Sequence, residues 1–198
     1  MATDTPFTEL QAGDALLVVD VQNDFLPGGS LPVANGDRVI EPLNRAIAAF
    51  RAARLPIFAS RDMHPPGHCS FQSAGGAWPV HCVAGSRGAD FADGLCLPPD
   101  TVVISKATTV ARDAYSAFDA TGLAKRLREA GVVRLFVGGL ATDYCVKATV
   151  LDGLAAGFAV VLLSESMAAV EHKLGDGRRA IEEMEEAGAV IDCAGVTG

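Results

Sequence analysis

Val132–Val150, VVRLFVGGLATDYCVKATV, is the stretch that decides the fold. It opens as an apolar strand, VVRLFVGGL, and passes through a short turn into a helix. Thr142 or Asp143 stands where a cap for that helix belongs. The spacing puts Cys145 in the first helical turn, where unpaired N–H groups and the positive end of the dipole favour an anion. A thiolate is such an anion, and its pKa is expected to fall in that setting. The other reading is a small apolar residue on a buried helix face, the ordinary place of a cysteine.

The same alternation extends outward on both sides. Ala15–Asp20 (ALLVVD) is a near-continuous apolar run, as a strand buried on both faces of a parallel sheet requires. A turn-rich loop, VQNDFLPGGSL, separates it from a helix with Ile40, Leu43, Ile47 and Phe50 on one face. Leu55–Ser60 (LPIFAS) reads as the second strand and Thr101–Ser105 (TVVIS) as the third. Between them, residues 61–100 form a long irregular stretch, and a loop of that kind is usually functional. A helix is expected around Gly122–Ala130, a fifth strand at Phe158–Leu163, a helix near Arg178–Ala187 and a short last strand at Ala189–Asp192. Strand and helix alternate without repeat or linker. This predicts an α/β doubly wound sheet, one domain over residues 1–198.

In such sheets ligands bind beyond the carboxyl ends of the strands. Asp20, Asp62, Lys106 and Cys145 stand at or just past the ends of the first four strands and should converge on one rim. A buried carboxylate at Asp20 is costly unless paired. If the fourth strand lies beside the first, Asp20 comes close to Cys145. It is then placed to take the thiol proton and return it to a leaving amine. Lys106, between two acids, would hold Asp20 and lower the thiol pKa. A trio of this kind suits acyl transfer through a thioester. The Ala141 and Cys145 N–H groups, following Gly138-Gly139, form a candidate oxyanion hole. GGLATD lacks the GxGxxG spacing of a dinucleotide site.

Three of the four histidines fall in the long loop, within SRDMHPPGHCSF and WPVHC. Asp62, His64 and His81 offer a carboxylate and imidazoles to a divalent transition metal such as Zn, Fe or Mn. His68 is either a fourth ligand or a neighbour. His172 reads as surface, Cys69 and Cys82 as packing residues, and Cys96 and Cys193 carry no signal. Phe25 and Trp78 are candidate walls for a flat aromatic substrate, with Tyr115 a lesser one.

Bulk properties narrow the class. The chain has 198 residues, 49% of them hydrophobic, and a net charge of −8, which disfavours nucleic acid or an anionic membrane as partner. No apolar run is long enough to span a bilayer. The start lacks the basic and apolar regions of a signal peptide, so a cytoplasmic location is expected, in keeping with five cysteines without framework spacing. A homo-oligomer is compatible with how common closed symmetric assemblies are, and no patch marks an interface.

DVQNDFLPGGSL, RDMHPPGHCSF, WPVHCVAGSRGADF, KATTVARDAYSAF and GGLATDYCVKATVLDGLAAGF together resemble the nicotinamidase/pyrazinamidase branch of the isochorismatase-like cysteine hydrolases. The resemblance runs from about Leu16 to Ser166, and its metal loop is particular to that branch. It implies six parallel strands in the order 3-2-1-4-5-6, with a cis peptide at Leu140-Ala141. It implies Cys145 as nucleophile, Asp20 as general base and acid, Lys106 as supporting charge, and a metal on Asp62, His64 and His81. It further implies nicotinamide between Phe25 and Trp78, with its ring nitrogen on the metal, hydrolysed to nicotinate and ammonia in NAD salvage; pyrazinamide would be a second substrate. The competing expectations are a metal-free hydrolase of the same superfamily, acting on another small amide, and a non-catalytic metal- or ligand-binding protein.

Overall fold

The structure, a computed structural model, describes residues 9–192. Its sheet has six parallel strands in the order β3-β2-β1-β4-β5-β6. In chain order the elements are β1 (Asp14–Val19), α1 (Ile40–Ala52), β2 (Ile57–Asp62), β3 (Val102–Lys106), α2 (Leu123–Glu129), β4 (Arg134–Leu140), α3 (Lys147–Ala155), β5 (Ala159–Ala168), α4 (Asp176–Glu186) and β6 (Val190–Ile191).

Every residue of β1 is buried, because both faces of the sheet are covered. Side-chain alternation then divides the strand between two cores. Leu16 and Val18 pack with Leu43, Ile47 and Phe50 of α1. Leu17 and Val19 pack with Leu123 and Leu127 of α2, Val150 of α3 and Met184 of α4. The α1 positions recur at three- and four-residue steps, which is why one helical face is apolar and the rest is solvated. Burying each such Leu, Ile or Phe stabilises the fold by about 1.5–3 kcal/mol. Among the described residues no helix is long and apolar enough to cross a membrane.

Two glycines let β4 reach the end of β1. A Cβ on Gly139 (φ +131°) would collide with the Val19 carbonyl, and one on Gly138 would press into Ser166 and Leu43. Val19 pairs with Gly139. The chain leaving β4 therefore turns directly beside Asp20. The Leu140-Ala141 peptide in that turn is cis.

Three local expectations are corrected. The helix after β4 has no side-chain cap from Thr142 or Asp143; it begins as a π-helical turn, Thr142–Val146, preceded by Ala141. The Asp143 carboxylate instead accepts the Val170 and Glu171 N–H groups at 2.9 and 3.0 Å, tying the turn to the loop after β5. The second strand runs Ile57–Asp62 rather than Leu55–Ser60, because Asp62 pairs with Lys106. Strand β5 runs on to Ala168 because Met167 and Ala168 pair with Gly139 and Leu140 across a register shift.

Candidate active site

Sheet register brings the strand-end residues together. Lys106 ends β3, and its Nζ lies 2.6 Å from Asp62 Oδ1, 3.0 Å from Asp20 Oδ2, 2.9 Å from the Ala114 carbonyl and 3.5 Å from Cys145 Sγ. Lys106 is 1% exposed and Asp20 0%, while Asp62 and Cys145 are buried but reach the pocket lining. Burial alone would strip the proton from Lys106, but the Asp20 and Asp62 charges outweigh it and hold the ammonium pKa well above its ordinary value.

Asp20 itself stands just past β1 with φ 49°. Its Oδ1 accepts the Ser60 hydroxyl at 2.7 Å. Among the described residues, Oδ2 receives no aligned hydrogen bond, although the Lys106 charge lies beside it. Burial raises the Asp20 pKa, with Lys106 opposing. That makes it a carboxylate with one lone pair held and one available, and with a strengthened appetite for a proton.

The Cys145 thiol faces this carboxylate, and its pKa shift is opposite to the one expected from the helix start. Burial pushes it well above the ordinary thiol value, Lys106 pulls it down, and Asp20 and Asp62 push it up again. Two carboxylates and a dry wall outweigh one ammonium and a dipole. The resting sulfur is therefore a neutral thiol with an acceptor for its proton at hand.

The second set of side chains lies on the loop after β2. One donor atom each from Asp62, His64 and His81 falls within 4.8 Å of the others, and all three residues are buried. His64 Nδ1 donates to the His81 carbonyl at 3.1 Å and His81 Nδ1 to the Pro79 carbonyl at 2.7 Å. A carbonyl only accepts, so in both rings the lone pair is on Nε2. Burial also lowers the His64 pKa, against the pull of Asp62, and keeps the ring neutral. Two imidazoles whose Nδ1 atoms are held by carbonyls, leaving Nε2 as the donor beside a carboxylate, fit a divalent transition metal. Asp20, Asp62 and Cys145 also approach within 4.8 Å, but the Lys106 ammonium lies among them.

His68 is placed differently. It stacks on His64 with ring centroids 4.3 Å apart. Its Nε2 donates to the Arg112 carbonyl at 3.0 Å and its Nδ1 accepts from Ser70, so neither nitrogen keeps a free lone pair. Its other approach, to His64 and Asp113, is to a different group of donors. His172 is exposed, Cys82 is buried in the core, Cys69 is half-buried and Cys96 exposed. Cys193 lies outside the described residues.

Cys145 and Asp62 of the first set and His64 and His81 of the second line one pocket, of about 550 Å³ with its mouth included, together with Ala141, Phe25 and Trp78. Trp78 Nε1 donates to the Tyr115 hydroxyl at 3.0 Å. Tyr144, also in the lining, packs edge-on to Trp78 at 5.1 Å. Space of this size and an apolar lining suit one flat ring.

Sequence reading missed Tyr144, although it adjoins Cys145, because in a turn following a strand a tyrosine has no assigned side. It missed Ser60, the partner of Asp20, and Gln22. The Gln22 amide clamps the Asp62 backbone, accepting its N–H at 2.7 Å and donating to its carbonyl at 2.8 Å. The signal for Gln22 was a polar residue three places past the end of a fully buried strand.

A family model described as the isochorismatase domain matches residues 14–194. The chain belongs to the isochorismatase family. Within it the chain falls on the nicotinamidase/pyrazinamidase branch. The nicotinamidase of Escherichia coli (strain K12) is 37% identical over 89% of this chain and 93% of its own. The pyrazinamidase of Pyrococcus horikoshii, solved in complex with zinc, is 48% identical, with a TM-score of 0.87 over 90% of this chain and 98% of that one. A protein of L. infantum solved in complex with nicotinate is 39% identical, with a TM-score of 0.86 over 93% and 95%. The fold family thus agrees with the sheet order and with the pocket at the carboxyl edge of the strands.

Proposed function

We propose that this protein is an amide hydrolase that converts nicotinamide to nicotinate and ammonia, and pyrazinamide likewise, as a step of NAD salvage in the cytoplasm. The observation that carries this reading is the contact of Lys106 with Asp20, Asp62 and Cys145, directly behind a pocket that Asp62, Cys145, His64 and His81 line. The relatives named nicotinamidase and pyrazinamidase, and the zinc and nicotinate complexes among the neighbours, support it. The four free cysteines among the described residues fit a reducing compartment.

The ring lies against Phe25 and Trp78, with the carboxamide carbon over Cys145. As sulfur bonds to that carbon, the thiol proton passes to Asp20 Oδ2. Burial raises the Asp20 pKa, which strengthens it as the acceptor for this proton. The carbonyl electrons move to oxygen, where the Ala141 and Cys145 N–H groups receive the oxyanion. Asp20 then gives the proton to the amide nitrogen, the C–N bond breaks and ammonia leaves. Water enters, loses a proton to Asp20 and attacks the thioester; the C–S bond breaks and Asp20 returns the proton to sulfur. Lys106 sets one buried positive charge against the Asp20 and Asp62 carboxylates throughout.

Asp62, His64 and His81 would hold a divalent transition metal (Zn, Fe or Mn), which when bound supplies a Lewis acid for the ring nitrogen. His68 braces His64 from outside this set. The buried, oriented donors favour this reading over a metal-free hydrolase.

Ammonia release from nicotinamide tests the proposal. Purified protein should release ammonia, lose that activity on chelation and regain it with added divalent metal. Release indifferent to chelation would remove the metal from the reading, and no release by folded, metal-loaded protein would remove the substrate.

A further inference from the structure

Asp24 touches none of the reacting groups, yet it reaches the metal-ligand set through a single peptide. It is buried in the short turn Asn23–Phe25 that follows β1. Its Oδ2 accepts the Cys82 N–H at 2.7 Å, and its Oδ1 accepts the Ser30 N–H at 3.1 Å. The Cys82 N–H is one end of the His81-Cys82 peptide. The other end, the His81 carbonyl, takes the Nδ1–H of His64 at 3.1 Å. Carboxylate, peptide and imidazole thus form one chain of hydrogen bonds. A Cβ on Gly88 would collide with the Asp24 carboxylate, so that glycine lets the 86–89 backbone cover it.

Dipoles in such a chain reinforce one another. A carboxylate on the N–H side shifts electron density toward the peptide oxygen and makes it a stronger acceptor. The His64 Nδ1–H is then held more firmly, and Nε2, the nitrogen left for a metal, becomes more basic. Carboxylates commonly do this to a metal-binding imidazole by direct contact; here a peptide is interposed.

We infer that Asp24 is a positioning residue for the metal site: through the His81-Cys82 peptide it fixes the tautomer and donor strength of His64 and the placement of His81. The inference rests on the metal reading above. Its second arm, to Ser30, joins the same carboxylate to the loop that bears Phe25, Leu31 and Val33 of the pocket wall.

The test is zinc affinity, measured by competition with a chromophoric chelator, for the native protein, Asp24→Asn and Asn23→Ala. Asparagine keeps the shape but has one acceptor oxygen, so it cannot take both N–H groups. Asn23 is the control: its amide joins the same loops, donating to the Arg87 and Phe91 carbonyls at 2.9 and 3.4 Å, without touching the His81-Cys82 peptide. Asp24→Asn should bind zinc about 10–100-fold more weakly and shift the visible bands of the cobalt-loaded protein, while Asn23→Ala stays within about threefold of native in affinity, with native bands. Asp24→Asn within about threefold of native, or Asn23→Ala losing as much, overturns the inference. A native protein without zinc affinity overturns the metal reading as well; native affinity left intact in Asp24→Asn overturns this inference alone. Should Asp24→Asn not fold, the native protein still decides: on zinc loading the Cys82 amide proton should move downfield more than that of Ser30, and an equal or smaller shift overturns the relay.

Discussion

Asp20, Asp62, Lys106 and Cys145 stand on or beside the ends of sheet strands, whereas His64, His81 and Trp78 stand on the 63–101 connection between β2 and β3. The first group is placed by strand register: Asp62 pairs with Lys106, and Val19 with Gly139. The second is placed by hydrogen bonds from side chains remote in sequence, with Gln22 holding the Asp62 backbone and Asp24 holding Cys82. In the proposed reaction the bond-making chemistry would sit on the least deformable part of the sheet, and recognition of the ring and of a metal on a part that side-chain changes can adjust. Damage to the first group should cost rate and fold together, and damage to the second should cost affinity first.

Lys106→Met should have the largest effect. It leaves Asp20 and Asp62 buried without their cation, which costs about 3–5 kcal/mol of stability. It also removes the charge beside the reacting sulfur, and kcat/KM should fall about 10²–10⁴-fold. Denaturant unfolding and ammonia release read the two losses. A stable, active variant would show that the strand-end group is not coupled as described.

Ser60→Ala sharpens the comparison through pH. Asp20 must be ionised to take the thiol proton, so kcat/KM rises with pH through the Asp20 pKa. Burial raises that pKa, so the acid limb should lie above 3.8, the ordinary value. The Ser60 hydrogen bond favours the ionised form and lowers the pKa, so its removal should move the limb further up, with the plateau reduced by less than about tenfold. A limb that stays in place in Ser60→Ala would assign it to another group.

Tyr115→Phe should have the smallest effect, because it touches only the loop-borne wall. It removes the acceptor of Trp78 Nε1, a hydrogen bond of about 0.5–1.5 kcal/mol. KM for nicotinamide should rise about 2–10-fold, with kcat within about twofold. A fall in kcat instead would place Tyr115 with the reacting groups.

The α/β class and the gathering of Asp20, Lys106 and Cys145 on one rim were legible because each rests on a local pattern, a strand buried on both faces and ended by a chemically active side chain; the strand order came from the family resemblance. Where the sequence misled, a neighbour distant in the chain decided the outcome. Asp143 is free to cap a helix only if nothing else needs it, and the Val170 and Glu171 N–H groups do. The Cys145 pKa falls at a helix start only if the thiol stays solvated and away from carboxylates, and here it is buried beside Asp20 and Asp62. Asp62 reads as loop until β3 pairs with it and prolongs β2. Ser60 and Gln22 were invisible for the same reason, since their partners lie 40 residues away.

Cys145→Ala is the most direct test of the account. Ammonia release from nicotinamide should be measured on this variant after its metal content and thermal unfolding are shown to match the native protein. The chemistry assigned to the strand-end group predicts a fall of about 10⁴-fold or more. A variant that keeps its activity within about tenfold of native would contradict Cys145 as nucleophile, and with it the thioester route through Asp20 and Lys106.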